Sequence, residues 1–328
     1  MRNLIFALTL LVTVDVSAQR IDKLGVEIFS IDRSHSQLGF TIGFLGLTKV
    51  RGWFNDYSAT ILYDDVAPER TSVTVVINAE SIDTAHESRD KDLRSDRFFD
   101  VAKYPRIVFQ STRIEKKGGE SYVVHGDLTI KGVTKPIAIP MTRTVPRMAD
   151  TAWGNIRIGG SGKVVIRRKD FNILGNDFWG DKTLSDEVEI ELDILGNRFN
   201  YDRWTYSARD GKPSVGEVLQ KTVDARGGAA AAKELRALKA EKPDDYNFGA
   251  PQLGIVVNRL IQRGKYEDAL ELLNAARFMY PEEPGFLARS GEAYAALGNR
   301  AEAVRMYERV QVLAPFGTEA MEMLRRLK

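Results

Sequence analysis

The chain has 328 residues, 43% of them apolar and 28% charged, with a formal net charge of +2. That length and composition suit two folded domains with sizeable cores, and they lack the concentrated basic face of a nucleic-acid binder. There is no cysteine, which excludes disulfides, thiolate metal sites, thiol catalysis and a lipidated N-terminal cysteine.

Residues 1–18 read as a secretory signal peptide. Arg2 supplies the positive start, and Leu4 to Val14 form a mostly apolar run too short to cross a bilayer about 30 Å thick. Val16 and Ala18 occupy the small-residue positions of a cleavage site before Gln19. The mature protein is therefore expected in the periplasm or secreted. No later segment is apolar enough to span a membrane.

Residues 19–196 carry a period of two. Leu38, Phe40, Ile42 and Phe44 alternate after a polar knot around Asp32, His35 and Ser36; Ser72–Ile77 is rich in β-branched residues; Asp127–Ile130 and Pro136–Met141 flank a turn-like stretch, Lys131–Lys135. In Asp186–Ile194 apolar residues alternate with polar, mostly acidic ones, the mark of a strand with one dry and one wet face. About eight such runs, spaced by Gly, Asp, Asn and Pro, predict an antiparallel barrel or sandwich rather than a βαβ sheet. One charged stretch, Glu87–Asp100, reads as a short helix that touches the β layer through Leu93, Phe98 and Phe99. Met148–Gly162 shows no clear alternation, and Gly159-Gly160-Ser161-Gly162 reads as a flexible turn.

Residues 197–213 are polar and aperiodic, a linker. Residues 214–328 are helical. Ala229–Ala240 is a run of helix formers. Gly264, Ala269 and Pro281 recur as Gly298, Ala303 and Pro315, each at an offset of 34 residues. That is the period of the tetratricopeptide repeat: the Ala lets two helices approach, the Gly permits the turn between them and the Pro ends the second. The units are Ala250–Glu283 and Pro284–Gly317, with Thr318–Lys328 as a cap. Two helices from about Ser214 to Ala240 are expected to complete the stack, because fewer than three units are marginal alone.

The β half carries an ordered set of motifs: Asp32/His35/Ser36, Ser81-Ile82-Asp83-Thr84, Leu93-Arg94-Ser95 with Phe98-Phe99-Asp100, Tyr104-Pro105 with Phe109, and Gly126–Thr134. Over about residues 25–195 this succession resembles the YceI-like family, the lipocalin-like polyisoprenoid-binding proteins of the bacterial envelope. The resemblance implies an elongated antiparallel eight-stranded barrel that holds an isoprenoid chain, polyprenyl or quinone-type, without transforming it. The helical repeat domain is an addition to that layout.

Alternation alone leaves open whether such a barrel is filled by its own side chains or hollow; the resemblance implies a cavity. Its candidate lining is Phe40, Ile42, Phe44, Phe54, Val75, Ile77, Phe109, Leu128, Ile130, Ile139 and Ile190. His35, Ser36, Arg94 and Arg97 are candidate head-group contacts. The competing reading makes Asp32, His35 and Ser36 a polar knot that satisfies turn backbone groups. Only His35, His86 and His125 could supply imidazole ligands, and their spacing suits no metal. No nucleophile elbow, SxxK motif or phosphate loop is present, so neither an enzyme nor a protein cofactor is expected. Asn258, Gln262, Glu292 and Ala295 would face a protein or peptide partner on the concave side of the repeats. The rival to lipid binding is an interaction scaffold with a solid barrel.

Overall fold

Eleven strands and seven α-helices, with short 3-10 turns, are found among the described residues. The computed structural model describes residues 26–152, 154–175, 183–206 and 211–328; the expected signal peptide lies outside them. The strands are β1 (Glu27–Ile31), β2 (Gln37–Phe44), β3 (Thr48–Phe54), β4 (Tyr57–Tyr63), β5 (Ser72–Asn78), β6 (Ile82–Asp83), β7 (Arg106–Gly118), β8 (Ser121–Ile130), β9 (Val133–Ala149), β10 (Ile156–Arg167) and β11 (Leu184–Arg198). A short helix, α1 (Glu87–Arg94), precedes β7.

The antiparallel order β1-β4-β5-β7-β8-β9-β10-β11 closes through a β1–β11 pairing into an eight-stranded barrel. The remaining strands are continuations of its members. One edge of β11 takes β2 (Asp193 opposite Gln37) and then β1 (Gly196 opposite Ile31). β1 and β2 are thus one strand interrupted by the polar knot. In the same way β3 continues β4, and β6 continues β5. Closure links the strands into a ring, while β9 and β10 pair only as far as Met141 opposite Gly162 and β3 meets β6 only at Trp53 and Phe54.

The knot stitches this interruption to β11. Asp32 accepts from Ser34 N (3.0 Å) and Asn197 Nδ2 (2.9 Å), and its other contact is His35 Nδ1 at 3.0 Å. Ser36 Oγ accepts from Leu195 N at 2.9 Å. Burial disfavours the charged Asp32 carboxyl, but the bonds from His35, Asn197 and the Ser34 amide outweigh it and hold the pKa below the ordinary 3.8. Its contribution to stability is therefore complete above that value and is lost as pH falls through the lower, folded-state pKa.

Two local expectations change. Gly159-Gly160-Ser161-Gly162 is not a turn but the middle of β10. A Cβ at Gly162 would meet Pro140 O at 2.6 Å, so glycine is what lets β9 pass this closely. The register of β10 on β9 shifts around Gly159, and such bulged pairing is what hid the alternation in Met148–Gly162. The Lys131–Lys135 stretch is a two-residue turn at Lys131-Gly132, both left-handed (φ 48° and 75°), after which Val133 already belongs to β9.

The helical part begins with α2 (Val215–Glu241), capped by Ser214 Oγ and broken at Gly227, which sits at φ 81°. It therefore supplies two helical segments. Then come α3 (Ala250–Gln262), α4 (Tyr266–Met279), α5 (Pro284–Ala296), α6 (Arg300–Leu313) and α7 (Thr318–Leu327). Gly264 and Gly298 close the first helix of each repeat in the left-handed region, at φ 68° and 81°, where a side chain would be strained. Ala269 and Ala303 are both fully buried at the helix–helix contact.

The two domains are cemented together. Leu62 of β4 lies in the same apolar cluster as Leu287, Met306, Tyr307, Met323 and Leu324. Around it, Ser58 Oγ donates to Phe316 O (2.5 Å), Thr60 and Thr318 share a hydrogen bond (2.8 Å), and Arg106 donates to Pro315 O (2.9 Å). Glu322 of α7 is 1% exposed and accepts from Ser72 Oγ (2.6 Å), Thr74 Oγ1 and Arg325 Nη2 (2.7 Å). Replacing Glu322 by Ala strands the two hydroxyls, at about 1–3 kcal/mol for each buried group left unpaired. Calorimetry of Glu322→Ala should resolve a repeat-domain transition that melts earlier than the barrel; a melting curve identical to wild type contradicts this docking energetics.

Candidate functional site: an apolar tube through the barrel

The inward face of the barrel encloses a cavity of about 610 Å³, within the range of small-molecule sites. It runs from Phe44, Phe99 and Leu174 near α1 to Tyr63, Tyr122 and Arg143 at the other end. All the residues read from the alternation as lining, Phe40, Ile42, Phe44, Phe54, Val75, Ile77, Phe109, Leu128, Ile130, Ile139 and Ile190, face this cavity. Val164, Ile166, Val188, Leu192 and Ile194 complete the wall from β10 and β11.

The tube stays hollow because of what lies under its large side chains. Gly52 and Gly126 occupy inward positions of β3 and β8. A Cβ on Gly52 would come within 2.5 Å of the Phe40 ring, and one on Gly126 within 2.5 Å of the Phe109 ring. The tip of each ring lies where the missing side chain would be, which keeps that part of the ring out of the lumen. Phe40, Phe54 and Phe99 form a tilted and edge-on series, with centroids 6.0 Å apart at each step, the favourable geometry for aromatic pairs.

Both ends are polar. At the α1 end, Thr84, Arg89 and Asp92 line the cavity. Thr84 is held by Asp90, which accepts from its amide at 2.9 Å and from its hydroxyl at 2.5 Å, and Arg89 donates to Thr84 Oγ1 (2.8 Å) and Thr84 O (2.7 Å). Arg168, 5% exposed, also reaches the cavity there and donates to the carbonyls of Ser185, Ile173 and Leu174. At the far end, Arg143 donates to Tyr63 Oη at 2.9 Å and is ion-paired to Glu120, while Tyr63 Oη donates to Asp65 at 2.7 Å. Burial, and then the bond to Asp65, push the Tyr63 pKa up to about 12, so its hydroxyl remains a neutral donor.

The four candidate head-group residues are placed elsewhere. His35 and Ser36 belong to the knot that joins β1 and β2 to β11. Arg94 clamps α1 to the preceding strand through Glu80 O and Ile82 O, both at 2.7 Å. Arg97 pairs with Asp92. The charged residues at the lumen were readable by phase instead. Arg89 stands four residues before Leu93, on the same helix face. Arg143 continues the inward series Ile137, Ile139, Met141 of β9. The three histidines lie apart: His86 meets Ser88 Oγ at 3.2 Å and His125 meets Glu115 at 3.2 Å. Among the described residues no group of three or more His, Cys, Asp or Glu side chains could hold a metal ion.

On the repeats, Asn258, Gln262 and Glu292 line a second cleft, of about 480 Å³, whose opposite wall is formed by Glu27, Ile28 and Ser30 of β1 and Arg198 of β11. Ala295 is buried in the repeat core, and its neighbour Ala296 lines the cleft. The segment following β11 is seated on this face. Gln262 Oε1 accepts from Tyr201 N (3.1 Å), Arg259 Nε donates to Tyr201 O (3.0 Å), and Arg259 also reaches Trp204 O and Tyr206 Oη. The ion-paired trio Arg289, Glu292 and Glu319 sits on the repeat side, and burial raises the Glu292 pKa.

The YceI-like domain family matches residues 29–195, and a tetratricopeptide repeat matches 260–327. The chain belongs to the YceI-like domain family. A UPF0312 protein of Yersinia pestis (strain Pestoides F) is 39% identical over 173 residues, covering 51% of this chain and 85% of the relative. Among solved structures, a Campylobacter jejuni YceI protein is 30% identical, covers 47% of this chain and 88% of its own, and has a TM-score of 0.42. A domain from Saccharophagus degradans, described as a polyisoprenoid binding domain, is 17% identical, covers 52% and 97%, and has a TM-score of 0.40. In this YceI-like chain the barrel accounts for the family match, and the repeats extend beyond it.

Gly52→Val tests how the lumen is kept open. The contacts nearest the new Cβ are the Phe40 and Thr84 side chains, so the ring swings into the tube rather than the backbone moving. Overpacking of this kind costs about 1–3 kcal/mol. A crystal structure should show Phe40 across the lumen and a smaller cavity; an unchanged cavity contradicts the assignment of Gly52 as the seat of that ring.

Proposed function

We propose that this YceI-like protein is a binding protein of the bacterial envelope that holds an isoprenoid lipid, polyprenyl or quinone-type, in its barrel and engages a protein partner through its repeats. The observation that carries the reading is the continuous apolar lumen. Its wall is hydrocarbon along the whole length and polar only at the ends, so it offers a flexible chain burial without directional contacts. Each methylene equivalent moved from water contributes about 0.8 kcal/mol, and an isoprenoid repeats such groups in every unit. A binder of this kind needs no catalytic group. The charged ends, with Arg89 and Asp92 at one and Arg143 and Tyr63 at the other, supply candidate contacts for a head group. The resemblance to isoprenoid-binding barrels points the same way.

The envelope location rests on the sequence of residues 1–18. The partner role rests on the repeats and on the cleft lined by Asn258, Gln262 and Glu292. A scaffold whose barrel is solid fits less well, because the lumen is not filled by its own side chains.

A fluorescent polyene chain titrated into the purified protein, then displaced by a polyprenol, measures occupancy of the tube. Wild type should bind the probe and release it to the polyprenol. Ala59→Trp places an indole where Ala59 lines the cavity; it should lower probe affinity at least tenfold while the helical domain stays folded by circular dichroism. Equal probe binding by wild type and Ala59→Trp would falsify the lumen as the binding site.

A further inference from the structure

We propose that the tip of the β2–β3 hairpin, Leu45-Gly46-Leu47, is the edge with which this protein touches a lipid bilayer bearing anionic head groups. Three observations converge on it. Leu45 and Leu47 are 48% and 84% exposed, on a surface where neither packs into a core cluster. The loop also holds Leu45 at φ 55° and Gly46 at φ 67°, with Leu47 N donating to Phe44 O at 3.1 Å. Consecutive left-handed residues make a tight hairpin turn that favours Asn-Gly. A leucine in the first position is strained, and a residue suited to the turn is replaced by one suited to an apolar phase.

The third observation is position. The tip follows directly on Phe44, which lines the lumen, and Leu45 N donates to Thr183 O at 2.8 Å, Thr183 being another lining residue. Leu174, 54% exposed, belongs to both the lumen wall and this rim. On this side of the otherwise polar end, apolar residues therefore run from Phe44 and Leu174 in the lumen wall to the exposed tip. Lys49 and Arg51 stand next to the tip on β3, both exposed; Arg51 also joins Lys163 in holding the Glu191 carboxyl below its ordinary range. Greasy residues at the tip with exposed cations one step behind suit the boundary of an anionic bilayer.

The choice of a bilayer rests on the proposed cargo, since a long hydrocarbon moves between apolar phases rather than through water. The contact itself can be tested without cargo. Full-length protein is floated with vesicles of phosphatidylethanolamine and phosphatidylglycerol, or of phosphatidylcholine alone, in wild-type and Leu45→Asn/Leu47→Ser form. Wild type should float with the anionic vesicles. The double variant should float at least fivefold less, with a melting temperature no lower than wild type because asparagine accepts the left-handed conformation. Its affinity for the polyene probe added from solvent should be unchanged, while loading of the probe from vesicles should slow about tenfold. Equal flotation and loading by the two proteins overturns the proposal, as does loading that depends on a soluble protein donor and not on vesicles. If wild type binds the probe but does not float, the bilayer contact is wrong and the lumen reading stands; if it floats but does not bind the probe, the cargo reading is the one that fails.

Discussion

The structure depends on one constraint: a closed ring of strands whose inward residues are apolar but not large enough, or not oriented, to meet across the middle. Closure satisfies the backbone without a solid core, so the interior need not be filled to keep the sheet together. The balance is set by pairs such as Phe40 over Gly52 and Phe109 over Gly126. Each pair trades a side chain for the ring tip of a neighbour. The lumen is the sum of those local exchanges, and its hydrocarbon character follows from the period of two.

The same strands serve two faces. β4 and β5 turn Ala59, Ile61, Val73 and Val75 inward to the lumen and Ser58, Thr60, Ser72 and Thr74 outward to α7 and the residues just before it. The helical domain is therefore fastened to the wall of the tube, not tethered by a linker alone. The segment after β11 adds a second attachment by lying along α3, where Arg259 and Gln262 bind its main chain. The cleft between the repeats and β1 is thus a surface shared between both domains.

Most of this organisation was legible in the sequence. Alternation marked the strands and the inward set, and the 34-residue offset placed the repeat helices. Three things were not. The glycines of β10 looked like a turn because glycine marks both loops and close strand approaches; only the pairing with β9 separates them. Ser58, Thr60, Ser72 and Thr74 looked like an ordinary wet face, since the carboxylate that dries part of it, Glu322, lies about 250 residues away in the chain. Arg94 and Arg97 drew attention as cations near the motif, whereas helix phase from Leu93 selects Arg89.

The central claim is that the tube is occupied by a hydrocarbon chain and dry along its length. Native mass spectrometry of the protein purified gently from its own cells examines this most directly. The account predicts a mass above that of the polypeptide, released by organic solvent and matching a single isoprenoid series. A spectrum of bare polypeptide in repeated preparations, alongside a crystal structure with ordered water through the lumen, would contradict it.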